Sequence, residues 1–420
     1  MKKLITILIA IHITSAIFAN KTTLMSGNTV EDTLFPRSIQ EKESVYIIES
    51  DSIEKNRNNL SNDSLKSKTG IIKKVISYFS ESNIDRSKSK KFDFSIIGGP
   101  HYSSDIKLGI GLVAAGLFRV DKEDMMLPPS DVSFYADVTT TGYYLLGVRG
   151  HTYFKGGKYL LNYNGYFYSM PAQFYKQGYR NGIDNNYTKY LRLENQIKAD
   201  FLYRIFKNGY IGTNINFNYS SGRKFNDPDF LQGQSKEYIN TGIGFLFEYD
   251  SRDFIPNAYK GIFFKLDQKF YPGFFGNKMQ FMRTEVFFDT YKQLWKGSVL
   301  AFDFHTILNY GAKEIPWPMD AVMGGSYRMR GYYEGRFRDK CVSEIQLELR
   351  QKVWRRNGIA LWVGAGNIYP ELTSFKLKES LPNFGIGYRW EFKNRVNVRL
   401  DYGFGKHGQS GFIFGINEAF

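Results

Sequence analysis

The sequence predicts an all-β fold, a 16-stranded antiparallel transmembrane β-barrel with a long inward-folded loop, preceded by a mostly disordered N-terminal segment. Three observations lead there. From about Phe92 to the final Phe420, short segments alternate apolar and polar residues with the two-residue period of a strand. Several of these segments sustain about ten residues or more, the length a tilted strand needs to cross a bilayer and longer than the five or six of an ordinary soluble strand. Beyond the N-terminal leader, no stretch approaches about eighteen continuous apolar residues, so a closed barrel is the one spanning structure on offer.

The alternation is explicit in two segments. Ile211, Thr213, Ile215, Phe217 and Tyr219 share one strand face, and Gly212, Asn214, Asn216, Asn218 and Ser220 share the other. Val396, Val398, Leu400, Tyr402 and Phe404 stand likewise against Asn397, Arg399, Asp401, Gly403 and Gly405. One face suits lipid and the other water. The mean hydropathy of −0.38 fits a barrel whose interior is wet.

Taken in order, residues 1–19 form a secretory leader: Lys2 and Lys3 precede an apolar run from Leu4 to Ile13, and Ile17-Phe18-Ala19 offers a cleavage site. Residues 20–91 carry Ser, Asn, Lys and Asp clusters and read as a disordered periplasmic segment. Within it, Ile71, Ile72, Val75, Ile76 and Phe79 fall at helical spacing beside Lys73 and Lys74. That pattern near 70–80 describes either an amphipathic helix on the membrane or at the barrel mouth, or a transient helix in a tether. The barrel occupies 92–420, with strands expected at 92–98, 106–119, 131–140, 143–155, 158–169, 188–206, 209–221, 236–250, 259–271, 278–293, 297–310, 340–353, 357–368, 381–392, 395–405 and 410–419. Short turns such as Lys155-Gly156-Gly157-Lys158 alternate with longer loops such as Pro171 to Tyr187, which places the short turns on the periplasmic side.

Composition narrows the function. A net charge of +15 is spread through linkers, turns and strands rather than gathered in a basic module, so nucleic acid is not the expected partner; anionic lipid headgroups or an acidic lumenal client account for it. Aromatics at 17% and 40 glycines fit membrane girdles and close β-packing. Cys341 is the sole cysteine, which excludes an internal disulfide, and its strand position describes a buried or lumenal thiol. His101, His151, His305 and His407 form no metal-ligand pattern, and no serine partner for His151 is identifiable, so neither a metal, a cofactor nor a catalytic residue is expected.

The longest connection, Gly311 to Asp339, holds the run Gly324-Gly325-Ser326-Tyr327-Arg328-Met329-Arg330-Gly331-Tyr332-Tyr333-Glu334-Gly335-Arg336. Glycine, aromatic rings and arginine at this density describe a structured loop, and sixteen strands enclose room for it. At Met329-Arg330-Gly331-Tyr332 the chain resembles the BamA/TamA superfamily of outer-membrane barrels, the bacterial surface antigen family, whose sixth outer loop carries an apolar residue before Arg-Gly-aromatic. Tyr249-Asp250-Ser251-Arg252-Asp253 with Pro256 and Gly261 is similar to a second segment of that family.

The resemblance implies that Arg330, Gly331 and Tyr332 form a loop lock whose arginine enters the lumen and meets acidic residues on the following strands. Alternation independently turns Glu344, Gln346, Glu348 and Arg350 inward if Ile345, Leu347 and Leu349 face lipid. Glu348 sits where the family's partner would be. The family's aspartate on the next strand is replaced by Gly364, so Glu344 compensates or the lock is looser. Such a pair contributes about 0–1 kcal/mol if solvated, and its removal costs roughly 3–5 kcal/mol if buried.

Residues 20–91 lack the pattern of a POTRA module, so the resemblance is to a short branch without those domains. Phe412, Phe414, Ile416 and Phe420 are similar to the terminal signal by which barrels are recognised, which implies insertion by the barrel assembly machinery; Glu418 interrupts the apolar face. The expected function is non-enzymatic assistance to insertion or translocation of proteins or lipids at the outer membrane, with client polypeptides or periplasmic factors as partners beside the lipids. A seam between first and last strands, weakened by Gly98-Gly99-Pro100, Gly411 and Gly415, is its expected working part. The alternative is a passive or gated channel.

Overall fold

The computed structural model describes residues 93–103, 107–121, 123, 124, 127, 129–393 and 395–420. The leader at 1–19, the segment 20–91 and the amphipathic stretch near 70–80 lie outside them. The strands are β1 (Asp93–Ser103), β2 (Lys107–Phe118), β3 (Ser130–Thr139), β4 (Tyr144–Tyr153), β5 (Tyr159–Tyr175), β6 (Tyr187–Phe206), β7 (Gly209–Arg223), β8 (Glu237–Asp250) and β9 (Gly261–Tyr271). Then come β10 (Phe281–Trp295), β11 (Ser298–Tyr310), β12 (Ala321–Met323), β13 (Phe337–Asp339), β14 (Cys341–Trp354), β15 (Asn357–Tyr369), β16 (Leu381–Lys393), β17 (Val396–Gly405) and β18 (Ser410–Ile416). Sixteen of them form one antiparallel sheet in chain order, and β12 pairs only with β13 inside the long loop.

The burial pattern reverses that of a soluble protein. Along β7, Ile211, Ile215 and Phe217 are exposed while Asn214, Asn216 and Asn218 are buried. On β8 and β9, Phe245 is 63% exposed while Lys265, Asp267 and Lys269 are each buried on the opposite face. An apolar outer face and a charged inner one are stable only when lipid surrounds the sheet and the enclosed charges pair with one another. Lys269 bonds Asp267, Lys198 lies 3.7 Å from both Asp200 and Asp267, and Asn214 donates to Asp267 at 2.7 Å. Replacing Phe245 with arginine is therefore expected to lower the stability of the folded barrel in lipid vesicles by about 2–4 kcal/mol if the site lies near the bilayer midplane, measured by urea unfolding. At an exposed site of a water-soluble sheet the same change would fall within about 0.5 kcal/mol.

Three expected boundaries move. β1 does not stop at Gly98 but runs on through Gly99 and Pro100 to Ser103, with Pro100 opposite Ile110 of β2. Proline is tolerated there because an edge strand has a side on which no N–H is required. β5 likewise continues through Pro171, paired with Leu191, so the outer loop shrinks to residues 176–186 around a short helix, α1 (Tyr179–Ile183). β18 ends at Ile416 rather than 419, because Asn417 adopts a left-handed φ of 68° and turns the chain out of the ladder.

The rim of short turns repeats one device. The hairpins β6–β7, β10–β11, β14–β15 and β16–β17 each slip register just before the turn, at Arg204/Phe206, Gln293/Trp295, Lys352/Trp354 and Glu391/Lys393. Left-handed Asn208, Gly297, Arg355 and Arg395 then reverse the chain. In three of these hairpins the bulge exposes an aromatic ring beside a cation, Phe206-Lys207, Trp295-Lys296 and Trp354-Arg355. Such pairs suit the boundary between hydrocarbon and headgroups.

Candidate functional site: the loop that crosses the lumen

The connection between β11 and β14 spans the interior and grips both sides. At its start, Trp317 packs edge-on against Phe174 of β5 and Tyr190 of β6, at 5.4 and 5.9 Å between ring centroids, and donates its indole N–H to the Ser235 carbonyl. Asp320 there accepts from Gln177 at 2.6 Å and from Arg338 at 2.9 Å, while burial pushes its carboxyl up to about 6 against the pull of that arginine. Arg336 donates to the Gly182 carbonyl of α1 at 2.8 Å, and the Lys406 ammonium, beyond β17, reaches the Tyr179 hydroxyl at 2.9 Å. The sheet thus curls until its early and late strands share the loop as a common filling.

The loop tip meets the other wall. Arg330 is fully buried; its Nη2 lies 2.5 Å from Glu348 on β14, its Nη1 2.8 Å from Asp401 on β17, and its guanidinium 3.7 Å from the ring centroid of Trp362 on β15. The contact is charge-assisted on two edges and stacked on one face, which a lysine could not reproduce. Arg328 adds a forked contact to Asp303 of β11, at 2.9 Å from Nε and 2.5 Å from Nη2. Tyr332 donates to the Pro382 carbonyl at 2.7 Å and accepts from the Lys406 backbone at 2.7 Å.

Backbone approach makes this fit tight. Gly331, at φ +107°, lies against Gly403 of β17, and a Cβ there would sit 2.6 Å from the Gly403 carbonyl. A Cβ on Gly411 of β18 would sit 3.3 Å from the Gly331 Cα. The glycines of the last two strands are a slot for the loop, and Gly411 takes part in that contact.

Residues 134–420 match the Omp85 superfamily domain. The chain belongs to the Omp85 superfamily. As an Omp85 barrel it is an integral outer-membrane protein. Its fold is similar to that of BamA from Haemophilus ducreyi lacking POTRA domains 1–3, at 12% identity over 78% of this chain and 69% of that one, with a TM-score of 0.54. It is also similar to CdiB from Escherichia coli, at 10% identity over 77% of this chain and 62% of that one, with a TM-score of 0.51. The chain thus spans less than two thirds of the CdiB chain. No curated protein matches the sequence.

In this Omp85 barrel one expected member of the lock is elsewhere. Glu344 does not reach Arg330; its Oε2 faces His305 Nδ1 at 3.1 Å, while His305 Nε2 faces Glu285 at 3.0 Å. Glu344 and Glu348 share a face, but four residues of strand, about 13 Å, separate their heights. The acid absent at Gly364 is supplied instead by Asp401, two strands further round. Arg350, Arg389, Arg399 and Trp362 also belong to the site; the inward parity of Arg350 and Arg399 was readable, the convergence of the four was not.

The second motif builds the turn between β8 and β9. Arg252 forms a forked pair with Asp250, at 3.0 and 2.8 Å. Asp253 accepts from the Tyr259 and Lys260 amides at 2.9 and 3.3 Å and meets Arg395 at 2.9 Å. Gly261, at φ +115°, leaves room for the Ser251 carbonyl, and the Pro256 carbonyl accepts from the Glu418 amide at 3.1 Å.

That last bond shows where the terminus goes. Phe412 is exposed on β18, but Phe420 leaves the strand pattern altogether and is buried with Ala258, Tyr291, Val299 and Ala301. Phe420 therefore does not continue the face of Phe412 and Phe414. Glu418, which interrupts the apolar pattern in sequence, points inward and pairs with Arg389 at 2.7 Å and Asn397 at 2.6 Å.

Proposed function

We propose that this Omp85 barrel acts without catalysis on other polypeptides, assisting their insertion or translocation by lending them the edges of its first and last strands. One observation carries the reading: every other pair of neighbours in the sheet is joined by a ladder, but among the described residues β1 and β18 are not. An unpaired edge is a ready template for an incoming strand, which gains main-chain hydrogen bonds by β-augmentation. β18 has only 7 residues against 11 in β1, so few bonds oppose entry. Gly331 touches both β17 and β18, which supports a coupling between loop docking and the position of the last strand.

The test is reconstitution. In a Cys341→Ala background, cysteines introduced singly into residues 93–99 and 412–416 are paired and oxidised, and the barrel in lipid vesicles is presented with a urea-denatured eight-stranded outer-membrane barrel. The reduced protein is expected to speed client folding about tenfold or more over empty vesicles, and the cross-linked one is expected to lose that gain. Equal rates with and without the protein, accompanied by steady large conductance in planar bilayers, would favour the channel and overturn the proposal.

A further inference from the structure

Tryptophan is unevenly placed around the barrel. Of the 5 in the chain, Trp317 and Trp362 fill the lumen, one at the start of the loop and one beneath its tip. The other three stand on consecutive hairpins of the short-turn rim. Trp295 ends β10 and Trp354 ends β14, 57% and 62% exposed. Trp390 lies on β16 opposite Asn357, on the face that carries the exposed Phe384, Ile386 and Tyr388. The first two hairpins are joined to each other. The Trp295 indole N–H donates to Gln351 Oε1 of β14 at 3.0 Å, and the Lys352 amide donates to the Gly297 carbonyl at 2.7 Å. The Arg355 guanidinium lies 4.8 Å from the centre of the Trp354 ring.

Charge and hydropathy together define what fits there. Lys292, Lys296, Lys352, Arg355 and Arg356 are all exposed on these two hairpins, while residues 290–300 and 351–360 contain no Asp or Glu. Glu391 of the next hairpin meets Lys352 at 2.5 Å, which leaves the surplus positive. Away from the rim the outward face turns apolar. Leu300 pairs with Leu349, Phe302 with Leu347 and Phe304 with Ile345, and Ile345 and Leu347 are exposed. A wall of this kind belongs in hydrocarbon. Its occupant must therefore be apolar along β11 and β14 and negative at the rim. A soluble protein would have to enter the bilayer to meet both conditions, whereas a phospholipid with an anionic headgroup meets them as it stands.

We propose that the β10–β11 and β14–β15 hairpins form a selective binding site for an anionic glycerophospholipid of the leaflet on the short-turn side. Lys296, Arg355 and Arg356 take the headgroup phosphate, with Lys292 reaching it along the strand. Trp295 and Trp354 flank the glycerol region, and the acyl chains lie on the Leu300–Leu349 and Phe302–Leu347 wall. The bond from Trp295 to Gln351 holds the two hairpins at a fixed spacing before the lipid arrives, which lowers the ordering cost of binding. The β6–β7 hairpin, with Phe206-Lys207, has neither an indole nor an arginine in its turn and serves as the comparison. The site goes beyond the proposed handling of polypeptides and does not depend on it.

The three outward indoles are themselves the reporters. The full chain is reconstituted in phosphatidylcholine bilayers containing increasing fractions of phosphatidylglycerol brominated in its acyl chains, or of phosphatidylcholine brominated in the same way, and quenching of tryptophan fluorescence gives the relative binding constant of the two lipids. Folding is verified by heat-modifiable gel mobility. The anionic lipid is expected to be preferred about fivefold or more, and the preference to fall toward one in the triple variant Lys296→Gln, Arg355→Asn, Arg356→Gln. Lys207→Gln on the comparison hairpin is expected to leave it unchanged. If the triple variant does not fold, Lys296→Gln and Arg356→Gln are read singly, and each is expected to lose part of the preference. Equal quenching by the two lipids would show an ordinary lipid boundary and overturn the site. So would a preference that survives these substitutions, or one that Lys207→Gln lowers as much as they do.

Discussion

Replacing Arg330 with alanine is expected to undock the loop tip and make residues 311–340 cleavable by added protease. The side chain is wholly buried, pairs with Glu348 at 2.5 Å and Asp401 at 2.8 Å, and lies 3.7 Å above Trp362. Breaking a buried pair by deleting one partner costs roughly 3–5 kcal/mol, because the remaining charge stays desolvated. Here Arg350 and Arg389 still face Glu348, and Arg389 and Arg399 still face Asp401, so the lower end of that range applies. About 3 kcal/mol raises the open population of the loop about a hundredfold. Cleavage should rise accordingly, while the strands, whose ladders are untouched, keep their heat-modifiable mobility. Arg330→Lys is expected to restore little, since an ammonium cannot bridge two carboxylates and stack on an indole together. Cleavage of Arg330→Ala at the rate of the unaltered protein would show that the ion pairs are not what holds the loop.

Substituting the glycine slot is expected to have an effect of similar size by a different route. A Cβ on Gly403 would come within 2.5 Å of the Arg330 carbonyl carbon, and one on Gly331 within 2.6 Å of the Gly403 carbonyl, at a φ of +107° that side chains rarely adopt. These are encounters of backbone with backbone, which no rotamer change relieves. Gly403→Ala and Gly331→Ala are each expected to cost about 1–3 kcal/mol of loop docking. Gly233→Ala makes a control: it also sits at positive φ, +83°, but with open space around it, so it should cost only about 1 kcal/mol and leave loop protection intact. Protease protection of residues 311–340 measures all three. Because Arg330 and Gly403 hold the same contact, the double variant Arg330→Ala, Gly403→Ala should be less than additive.

Alternation settled much of this in advance and stopped where distance along a strand begins to matter. It assigned Ile211, Ile215 and Phe217 to lipid and Asn214, Asn216 and Asn218 to the lumen, as they are found, and it turned Glu348, Arg350, Arg399 and Asp401 inward. A two-residue period fixes a face, but not the depth to which a loop descends. Glu344 and Glu348 were therefore equivalent in sequence, and only the folded loop distinguishes the partner of Arg330 from the partner of His305. The resemblance in Met329-Arg330-Gly331-Tyr332 pointed to the arginine, whereas Trp362 beneath it carried no local signal. The terminus was misread because the turn depends on a left-handed Asn417, a conformation asparagine tolerates but does not announce. Glu418 was the visible clue: a carboxylate on an apolar face has either water or an arginine waiting for it, and here it has Arg389.

Hydrogen–deuterium exchange on the detergent-purified protein tests the central arrangement, an outer loop folded into the lumen and gripped there. The Tyr332 amide bonds the Met329 carbonyl, and the Arg330 carbonyl accepts from Asn383, beneath a buried arginine. Peptides covering residues 324–336 are expected to exchange over minutes to hours, as slowly as the neighbouring β14 and β15. Complete exchange of that segment within seconds, with β14 and β15 still protected, would contradict the docked loop.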